Sequence, residues 1–516
     1  MSLVRVAWTS DQVRALEEPL LAAGVPLMER ASFALAVHVA GVLRERRGRV
    51  GGARAVVLAG GGNNGGDALH AGALLAGRGV EVWAVTTSAR VHAAGLAAVR
   101  AAGGRVVTVA DPEGPDVRRV PVDEAAALAA RADVVLDGVL GIGARGGGVG
   151  GVAGALVSAV GALPDRPFVV AVDVPSGIGV DDGTRSGPVL DADLTVTFGA
   201  AKPGLLLPPA ARSVGRVEVV DIGLGGLPEG ARPHVVRLEV PDAAALWPVP
   251  VAASHKYTRG VVGVVAGTRS YPGAAVLATT AAVRSGAGMV RYLGDVGETV
   301  VAHRPEVVVG PGRVQSWVFG PGVSPDDAGQ RRRIEFAFEG VLQRGEAAVV
   351  DAGALELLPR HVGPHVVLTP HAGELARLLT RLGADVDRAG VEAEPLRWAR
   401  LAHERTGATV LLKGGVTVVA GRGGAAYAQA DAPAWLATAG AGDVLAGILG
   451  ALLAGRVDDL HDDASLVAAL AATAALVHGR AAHRANPGGP VDAAAVADAL
   501  PGTIADLLRE AGTLAP

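Results

Sequence analysis

The chain has 516 residues, of which 50% are hydrophobic and 19% are charged, so it can bury large cores. Its formal net charge is −4 at pH 7 and it has no basic stripe, which argues against nucleic acid as a main partner. The absence of cysteine excludes disulfides and thiolate chemistry. At roughly 150 residues per domain, this length predicts two to four domains.

The N-terminal segment MSLVRVAWTSDQVRALEEPL carries charges throughout and lacks the apolar stretch of a signal peptide. The long apolar runs near the other end, VLAGILGALLAG and SLVAALAATAALV, have 12 and 13 residues. A membrane span needs about 20 residues. We therefore expect buried helices at these runs, no membrane association and a cytoplasmic location.

The first half begins with helix-like segments through LMERASFALAVHVAGVL and then alternates apolar runs, glycine-rich turns and alanine-rich helical stretches. Continuous apolar strands between helices are typical of a parallel sheet covered on both faces. We therefore expect an α/β domain over residues 1–230. Its predicted strands span residues 54–60, 81–87, 105–110, 133–141, 168–177, 194–200 and 217–223.

A proline-rich segment without sustained periodicity, residues 224–253, places a domain boundary near residues 230–240. Strands separated by helical stretches then recur, without a repeat of the first half. This pattern predicts a second α/β domain over residues 235–516. Its predicted strands span residues 259–267, 289–295, 316–322, 346–353, 365–370, 409–415 and 416–421.

A glycine-rich loop, residues 60–67, follows the first of these strands and opens a helix. Ligands of open α/β sheets bind at the C-terminal ends of strands, near helix N-termini. The loop lacks the spacing of a dinucleotide fingerprint or a P-loop, so its glycines alone are a weak signal. Asn63, Asn64 and Asp67 strengthen the prediction of a ligand site because they add polar groups.

Two later strand ends point to the same edge of the predicted sheet. Asp137 lies near one of them, before a glycine-rich loop, and Asp173 and Ser176 lie at the other. Either aspartate could instead be a turn residue that bonds to its own backbone. Asn64, Asp137 and Ser176 offer oxygen ligands with one formal negative charge. That set suits a monovalent cation better than a catalytic divalent metal, and no His/Cys cluster suits zinc.

The motifs GGNNGGD, DGVLGIGARG, DVPSG and TFGAAKPG, with the opening TSDQVRALEEPLLAAGVPLMERA, resemble the NAD(P)H-hydrate epimerase family, the YjeF N-terminal domain, over about residues 5–225. The resemblance implies a Rossmann-like fold, potassium at Asn64, Asp137 and Ser176, and Asp173 as acid/base. Lys202 could assist Asp173, or be a structural or phosphate-facing lysine. The implied contacts of the hydrated nucleotide are Asn63, Asn64, Gly65, Gly66, Asp67, Gly141, Ile142, Gly143, Ala144, Arg145, Gly146, Gly147 and Asp173.

The second half also carries polar residues at strand ends. Lys413 ends a strand of a predicted hairpin, where it could hold phosphate or adenosine groups or be an ordinary surface lysine. His371 precedes a helix with Glu374 in its first turn, either as a cap or as a polar face toward a substrate phosphate. Asp443 follows the Gly-Ala-Gly run 440–442, whose bare N–H groups attract anions. It is either a helix cap or a base beside a bound phosphate.

Seven pieces of the second half resemble the ADP-dependent NAD(P)H-hydrate dehydratase family, of ribokinase-like fold, over about residues 235–516. They are HKYTRGVVGVVAGT, YPGAA, AAVRSGAGMV, FGPGV, LTPHAGELARLL, LLKGGVTVVA and LATAGAGDVLAGILGALLAG. The implied contacts of the hydrated dinucleotide are Ala274, Gly322, His371 and Asp443. Those of the adenine nucleotide are Lys413, Gly414, Gly415, Val416, Thr417 and Gly442.

Two motifs of this half depart from the family pattern. The usual Gly-Thr-Gly-Asp is Gly440-Ala441-Gly442-Asp443 here, which keeps the backbone N–H groups but loses a hydroxyl. The usual Asp-Ala-Asp is Asp351-Ala352-Gly353, which loses a carboxylate.

Together the resemblances imply a bifunctional enzyme that interconverts the R and S hydrates of NADH and NADPH (NADHX and NADPHX) and dehydrates the S form, converting ADP to AMP and phosphate. Asp443 would take the proton from the hydroxyl of the hydrated ring. The expected cofactors are potassium in the epimerase site and Mg²⁺ with ADP. Alternatives are a ribokinase-like vitamin or sugar kinase and a first half that is a non-catalytic nucleotide-binding module. The alanine-rich surfaces favour a homo-oligomer.

Overall fold

The computed structural model describes residues 6–111, 117–143, 148–225, 230–324 and 326–512. The chain divides into two compact units, Met1–Val235 and Val236–Pro516. Each unit is an α/β structure built on its own strands and helices, so the predicted fold class is confirmed.

Among the described residues of the first unit, eight strands form one sheet, and every pairing between them is parallel, as the sequence predicts. In sheet order these strands are β5 (Arg118–Arg119), β4 (Arg105–Thr108), β3 (Glu81–Thr86), β2 (Arg54–Ala59), β6 (Val134–Gly138), β7 (Phe168–Val172), β8 (Leu194–Phe198) and β9 (Arg216–Val220). A further short strand, β1 (Val6–Ala7), precedes the helices. The helices are α1 (Ser10–Ala22), α2 (Leu27–Arg47), α3 (Asn63–Ala76), α4 (Ala93–Ala101), α5 (Val122–Ala130) and α6 (Gly151–Gly161).

Hydrophobic cores cover both faces of this sheet. Alternate residues of β2 point to opposite faces, because side chains alternate along a strand. Val57 joins the core that includes Leu69 of α3, whereas Leu58 joins the core that includes Leu156 of α6. Burial on both faces explains why the strands are continuous apolar runs.

In the second unit the strands run in the sheet order β10-β19-β18-β17-β16-β15-β14-β11-β12-β13. The pairings are parallel except at β17–β18 and β18–β19, so the predicted hairpin after Lys413 is confirmed. The strands are β10 (Val235–Val236), at the boundary of the two units, β11 (Val261–Val265), β12 (Met289–Tyr292), β13 (Val308–Val309), β14 (Ser316–Phe319), β15 (Ala347–Val350), β16 (Val366–Leu368), β17 (Thr409–Leu412), β18 (Thr417–Ala420) and β19 (Ala426–Gln429).

Helices cover this sheet as well. They are α7 (Val240–Leu246), α8 (Pro272–Arg284), α9 (Gly297–His303), α10 (Ala328–Arg344), α11 (Ala372–Arg381), α12 (Arg388–Ala393), α13 (Pro395–Thr406), α14 (Ala441–Gly455), α15 (Val457–Asp462), α16 (Leu466–Ala485) and α17 (Ala493–Glu510). Short 3₁₀ turns span Pro203–Leu205, Ala210–Arg212, Ala352–Leu357, Arg422–Gly424 and Ala434–Leu436.

The helix that carries Asp443 lies deep in the second core. Its glycines permit this packing: a Cβ on Gly447 would fall 2.3 Å from the carbonyl oxygen of Ala278 in α8. The two apolar runs predicted as buried helices lie in α14 and α16. Within the described part of the chain, α16 is the one helix that alone is long and apolar enough to cross a membrane, and 78% of its apolar window is buried inside the protein.

Candidate active sites

A cavity of about 920 Å³ opens at the C-terminal ends of the strands of the first unit. It is bounded by α1, α2, the start of α3, the loop after β6 and the ends of β7 and β8. The lining includes many of the sequence-predicted residues. Those predicted residues are Asn63, Asn64, Asp67, Gly141, Ile142, Gly143, Asp173 and Lys202. Ala144, Arg145, Gly146 and Gly147 lie outside the described residues.

Close backbone contacts exclude side chains at two glycines of the glycine-rich loop, one against the loop after β6 and one within the glycine-rich loop itself. A Cβ on Gly60 would lie 1.9 Å from the carbonyl oxygen of Val139, and one on Gly65 would lie 2.2 Å from that of Gly60. Gly62 is the N-cap of α3 and supplies no side chain for capping, so the predicted segment Asn63–Asp67 forms the start of the helix. The opening N–H groups of α3 therefore lie at the cavity.

The three predicted potassium ligands gather around the backbone of Leu140. Asp137 is fully buried; its Oδ1 accepts a hydrogen bond from Ser176 Oγ at 2.6 Å and its Oδ2 accepts one from the Ser176 N–H at 2.8 Å. Asn64 Nδ2 donates to the Leu140 carbonyl at 2.9 Å, and the Leu140 N–H donates to Ser176 Oγ at 2.8 Å. Burial raises the pKa of Asp137, and its bonds with Ser176 lower it.

Asp173 is held by a buried ammonium. It follows β7 with a left-handed backbone (φ 64), and its Oδ1 accepts bonds from the Thr197 hydroxyl at 3.0 Å, the Phe198 N–H at 3.1 Å and Lys202 Nζ. Lys202 is 1% exposed and also donates to Thr197 Oγ1 and to the Phe198 carbonyl. Of the three roles open for Lys202, this geometry supports that of a partner which fixes Asp173. Asp173 Oδ2 makes no hydrogen bond with the described residues.

Two more carboxyl groups share this cavity. Burial raises the pKa of Asp67 well above its ordinary value, and the charges of Asp173 and Glu17 add to that rise. Asp67 Oδ1 is buried and has no hydrogen-bond partner among the described residues. Burial also raises the pKa of Glu17. Glu17 and Arg14 lie on α1, in the opening segment that carries part of the family resemblance, but sequence reasoning assigned neither residue to the site.

In the second unit, an ion pair stands against the first turn of α14. Lys413 Nζ lies 2.7 Å from Asp351 Oδ1 and 3.9 Å from Glu374 Oε2. A Cβ on Gly442 would lie 3.4 Å from Lys413 Nζ and 3.6 Å from Asp351 Oδ2. Although burial lowers the pKa of Lys413, Asp351 and Glu374 raise it above its ordinary value. Lys413 is therefore a paired cation beside the Gly-Ala-Gly turn, not an ordinary surface lysine.

Asp443 lies in the first turn of α14 and does not cap it. The N-cap is Gly440, in the left-handed region at φ 86, and no side chain bonds to the exposed N–H groups there. Burial raises the pKa of Asp443 to about 7, Asp351 adds to the rise, and Lys413 opposes it. A carboxylate with a pKa near neutrality is suited to general-base catalysis.

His371 is the N-cap of α11, as one of the two interpretations of the sequence proposed. Its Nδ1 accepts bonds from the N–H groups of Gly373 at 3.1 Å and Glu374 at 3.3 Å, and Glu374 Oε2 accepts one from the His371 N–H. Burial lowers the pKa of His371. Since Nδ1 accepts, the neutral ring carries its hydrogen on Nε2, which lies 3.5 Å from Glu374 Oε1 on a side chain that is 52% exposed.

Ala274 and Gly322 form a second part of this region. Gly322 has φ 63, and a Cβ there would lie 2.5 Å from the Cβ of Ala274. One turn further along α8, Leu277 approaches Gly440, where a Cβ would lie 2.6 Å from Leu277 Cδ1. The N-terminal parts of α8 and α14 thus meet, and Ala274 and Asp443 lie near the N-termini of these two helices.

The remaining predicted nucleotide contacts lie between β17 and β18. Gly414 and Gly415 are exposed, Val416 is buried and Thr417 begins β18.

Sequence reasoning missed two residues near Lys413. Asp351 was named only as part of a motif that departs from the family pattern, and nothing in the sequence indicated its ion pair with Lys413. His478 on α16 is buried, burial lowers its pKa to about 4 with help from Lys413, and its Nε2 has no partner among the described residues.

The two units match two family models. Residues 25–204 match the model described as YjeF-related protein N-terminus, and residues 262–501 match the model described as NAD(P)H-hydrate dehydratase. With the α/β folds and the two sites above, these matches define a two-domain enzyme class in which a YjeF N-terminal domain precedes a dehydratase domain.

Similar proteins match most of the chain or about half of it. The chain is 43% identical over 466 residues to the bifunctional NAD(P)H-hydrate repair enzyme Nnr of Mycobacterium tuberculosis, covering 87% of this chain and 89% of that protein. It is 46% identical over 244 residues to the NAD(P)H-hydrate epimerase of Microbacterium testaceum, covering 46% of this chain and 88% of that protein. The chain belongs to the family of bifunctional NAD(P)H-hydrate repair enzymes.

A solved structure resembles about half of the chain. It is the ADP/ATP-dependent NAD(P)H-hydrate dehydratase from Bacillus subtilis, co-crystallized with ATP/Mg²⁺, at 25% identity and a TM-score of 0.46. The alignment covers 53% of this chain and 99% of that one.

Proposed function

We propose that the chain repairs hydrated nicotinamide nucleotides in two steps. Residues 1–230 interconvert the R and S forms of NADHX and NADPHX, and residues 235–516 dehydrate the (6S) form while ADP becomes AMP and phosphate. The observation that carries this proposal is the pairing of two separate carboxylate sites, at Asp173 and at Asp443, in a chain 43% identical along most of its length to a bifunctional repair enzyme.

In the dehydratase site, Asp443 takes the proton from the hydroxyl of the hydrated ring, the oxygen attacks the terminal phosphorus of ADP, and the bond from that phosphorus to the bridging oxygen breaks, so that AMP leaves with the bonding electrons. The N–H groups of residues 440–442 face the phosphoryl oxygens as their charge develops. Phosphate then leaves the ring carbon with the bonding electrons, a proton leaves the neighbouring carbon, and the dihydronicotinamide is restored. A pKa of about 7 leaves Asp443 largely ionised at slightly alkaline pH, as this role requires.

Other residues hold the substrates. In this proposal the adenine nucleotide is contacted by Lys413, Gly414, Gly415, Val416, Thr417 and Gly442. The half-exposed ring of His371, whose Nε2 lies 3.5 Å from Glu374 Oε1, contacts the dinucleotide in this proposal, and Ala274 and Gly322 offer a surface without bulky side chains. Bound Mg²⁺ would neutralise charge on the phosphates of ADP.

In the epimerase site, Asp173 is the acid/base, and the start of α3 with the loop from Gly141 to Gly147 binds the nucleotide. Asn64, Asp137 and Ser176 would hold a potassium ion, because they cluster by Leu140 with only one formal negative charge: Asn64 Nδ2 bonds to the Leu140 carbonyl, and Ser176 Oγ bonds to Asp137 and to the Leu140 N–H. No group of three or more His, Cys, Asp or Glu side chains in the described ranges could hold a metal ion. The potassium ion would supply positive charge beside the nucleotide-binding loop that begins at Gly141.

The partners of this proposal are small molecules: NADHX, NADPHX and ADP. We place the enzyme in the cytoplasm and expect a homo-oligomer.

A sugar or vitamin kinase is the competing function for the second unit. The match of the first unit to the epimerase domain argues against it, since that domain supplies the dehydratase with its substrate. The test is to incubate the protein with (6S)-NADHX and ADP and to quantify the products. Repair gives NADH, AMP and phosphate in equal amounts. A kinase would accumulate a stable phosphate ester without NADH.

A further inference from the structure

The cavity of the first unit contains a carboxyl group that the proposed function leaves without a chemical task. Asp67 lies on α3 and lines the cavity together with Asp173 and Lys202. Its Oδ1 is buried and has no hydrogen-bond partner among the described residues. A buried polar atom without a partner is costly, so an unpaired one at a ligand cavity points to a partner on the ligand.

The surroundings of Asp67 and Asp173 differ in the way that separates an acid from a base. Asp173 accepts hydrogen bonds from an ammonium, a hydroxyl and a backbone N–H, all of which stabilise a carboxylate. Beside Asp67 lies the hydroxyl of Ser32, whose single hydrogen goes to the Met28 carbonyl at 2.6 Å and is not available to Asp67. The nearby charges of Asp173 and Glu17 further favour a neutral Asp67. Two carboxyl groups with such opposed environments in one cavity are typical of an acid and a base.

We propose that Asp67 is a catalytic acid of the epimerase site, acting together with Asp173 on the hydroxyl-bearing carbon of the hydrated ring. This assignment rests on the proposed epimerase function of the first unit.

Carbon 6 of the hydrated ring carries the hydroxyl and is bonded to the ring nitrogen, so the nitrogen lone pair can displace the hydroxyl. The neutral Asp67 donates its proton to the hydroxyl, the C–O bond breaks with its electrons, and water leaves as the nitrogen lone pair forms a C=N bond. Water then adds to the opposite face, the C=N electrons return to nitrogen, and Asp173 takes the proton of the adding water. Asp67 ends ionised and Asp173 protonated. The reverse conversion uses the two groups in these states, and proton exchange with solvent also resets them.

The test is Asp67→Asn, which keeps the shape and can still donate a hydrogen bond but cannot release a proton. We expect kcat for R-to-S conversion to fall about 10²–10⁴-fold, the range for general-acid catalysis, with KM changed less than about fivefold. Dehydration of the S form by the second unit should not change, and the nearly unchanged KM for the R form shows that the first unit is still folded and binds its substrate. The matched control is Asp165→Asn, at an exposed turn of the same unit, which should leave both activities intact.

The outcomes separate the two ideas. If the unaltered protein does not epimerise, the proposed function fails. If it does, and Asp67→Asn keeps its kcat or changes only KM, the acid role of Asp67 is wrong. A second readout uses the unaltered protein in H₂¹⁸O: the S product should gain one solvent oxygen in each conversion. Product that keeps its original oxygen would overturn the step even if the variant fails to fold.

Discussion

Lys413 Nζ lies 2.7 Å from Asp351 Oδ1, and this pair flanks the first turn of the helix that carries Asp443. The two ends of the pair act oppositely on the proposed base: Asp351 raises the pKa of Asp443 and Lys413 lowers it, while burial is the largest cause of a pKa near 7. The pair therefore provides a means of changing the working pH of the dehydratase without altering Asp443 itself.

The first prediction concerns that pH dependence. Because Asp443 must be ionised to act as a base, kcat/KM for dehydration should fall about tenfold per pH unit below pH 7. Asp351→Asn removes a negative charge and frees Lys413 from its partner, and both changes favour ionised Asp443. The acid limb of the pH–rate profile should therefore move to lower pH. Asp385→Asn, at an exposed site of the same unit, is the control, and an unmoved limb in Asp351→Asn would contradict the account.

The second prediction concerns the base itself. Asp443→Asn should reduce dehydration by at least about 10²–10⁴-fold, the usual contribution of a general base, while ADP binding measured by calorimetry stays within a fewfold of the unaltered value. The physical reason is that the backbone N–H groups of residues 440–442 remain. Full turnover in the purified variant would show that Asp443 is not the base.

The third prediction concerns stability. Asp443 has a folded-state pKa of about 7, above the value of about 3.9 in an unfolded chain. The ionised carboxylate is therefore less favourable in the folded than in the unfolded chain, and the free energy of unfolding decreases as the pH rises from about 4 through 7. Asp443→Asn removes this cost and should raise the free energy of unfolding by about 2 kcal/mol at pH 8, after allowance for partial solvation, but not at pH 4. Denaturant titrations at both values check it; equal effects at both would refute this origin.

The fourth prediction compares two ion pairs of the first unit. Lys202→Met leaves the buried Asp173 without its ammonium and should destabilise the protein by about 3–5 kcal/mol and abolish epimerisation. Arg54→Met breaks the pair between Arg54 and Glu81, whose side chains are 58% and 42% exposed, and should cost less than about 1 kcal/mol. Chemical denaturation of both variants measures the contrast. Similar losses in the two would mean that Lys202 is not the fixed partner described here.

The sequence predicted the strands that are apolar on both faces, because two-sided burial leaves a continuous signal such as that of β2 and β17. It missed β19, whose four residues AYAQ carry no such run. Long-range pairs were harder to foresee. Asp351 and Lys413 are 62 residues apart, and only the fold brings them together. Likewise, Lys202 was open to three interpretations until its buried bonds to Asp173, Thr197 and Phe198 were seen.

The burial and pairing of the carboxyl groups in the cavity also could not be predicted from the sequence. The glycine-rich loop indicated a ligand site, and the structure places its Asn63–Asp67 segment at a cavity. That Asp67 is unpaired there, and that α1 contributes Glu17 to the same cavity, depends on packing between distant segments. Residue types at strand ends predict where a site lies, whereas the division of labour between its carboxyl groups depends on the surroundings of each.

The most direct test of the repair function is to give the purified protein a mixture of R and S NADHX with excess ADP and follow the absorbance of the reduced ring. The unaltered chain should convert both epimers completely to NADH, with one AMP formed per NADH. Asp173→Ala should convert the S fraction rapidly and then stop or slow sharply. Incomplete conversion by the unaltered chain, or complete and equally fast conversion by Asp173→Ala, would contradict the account.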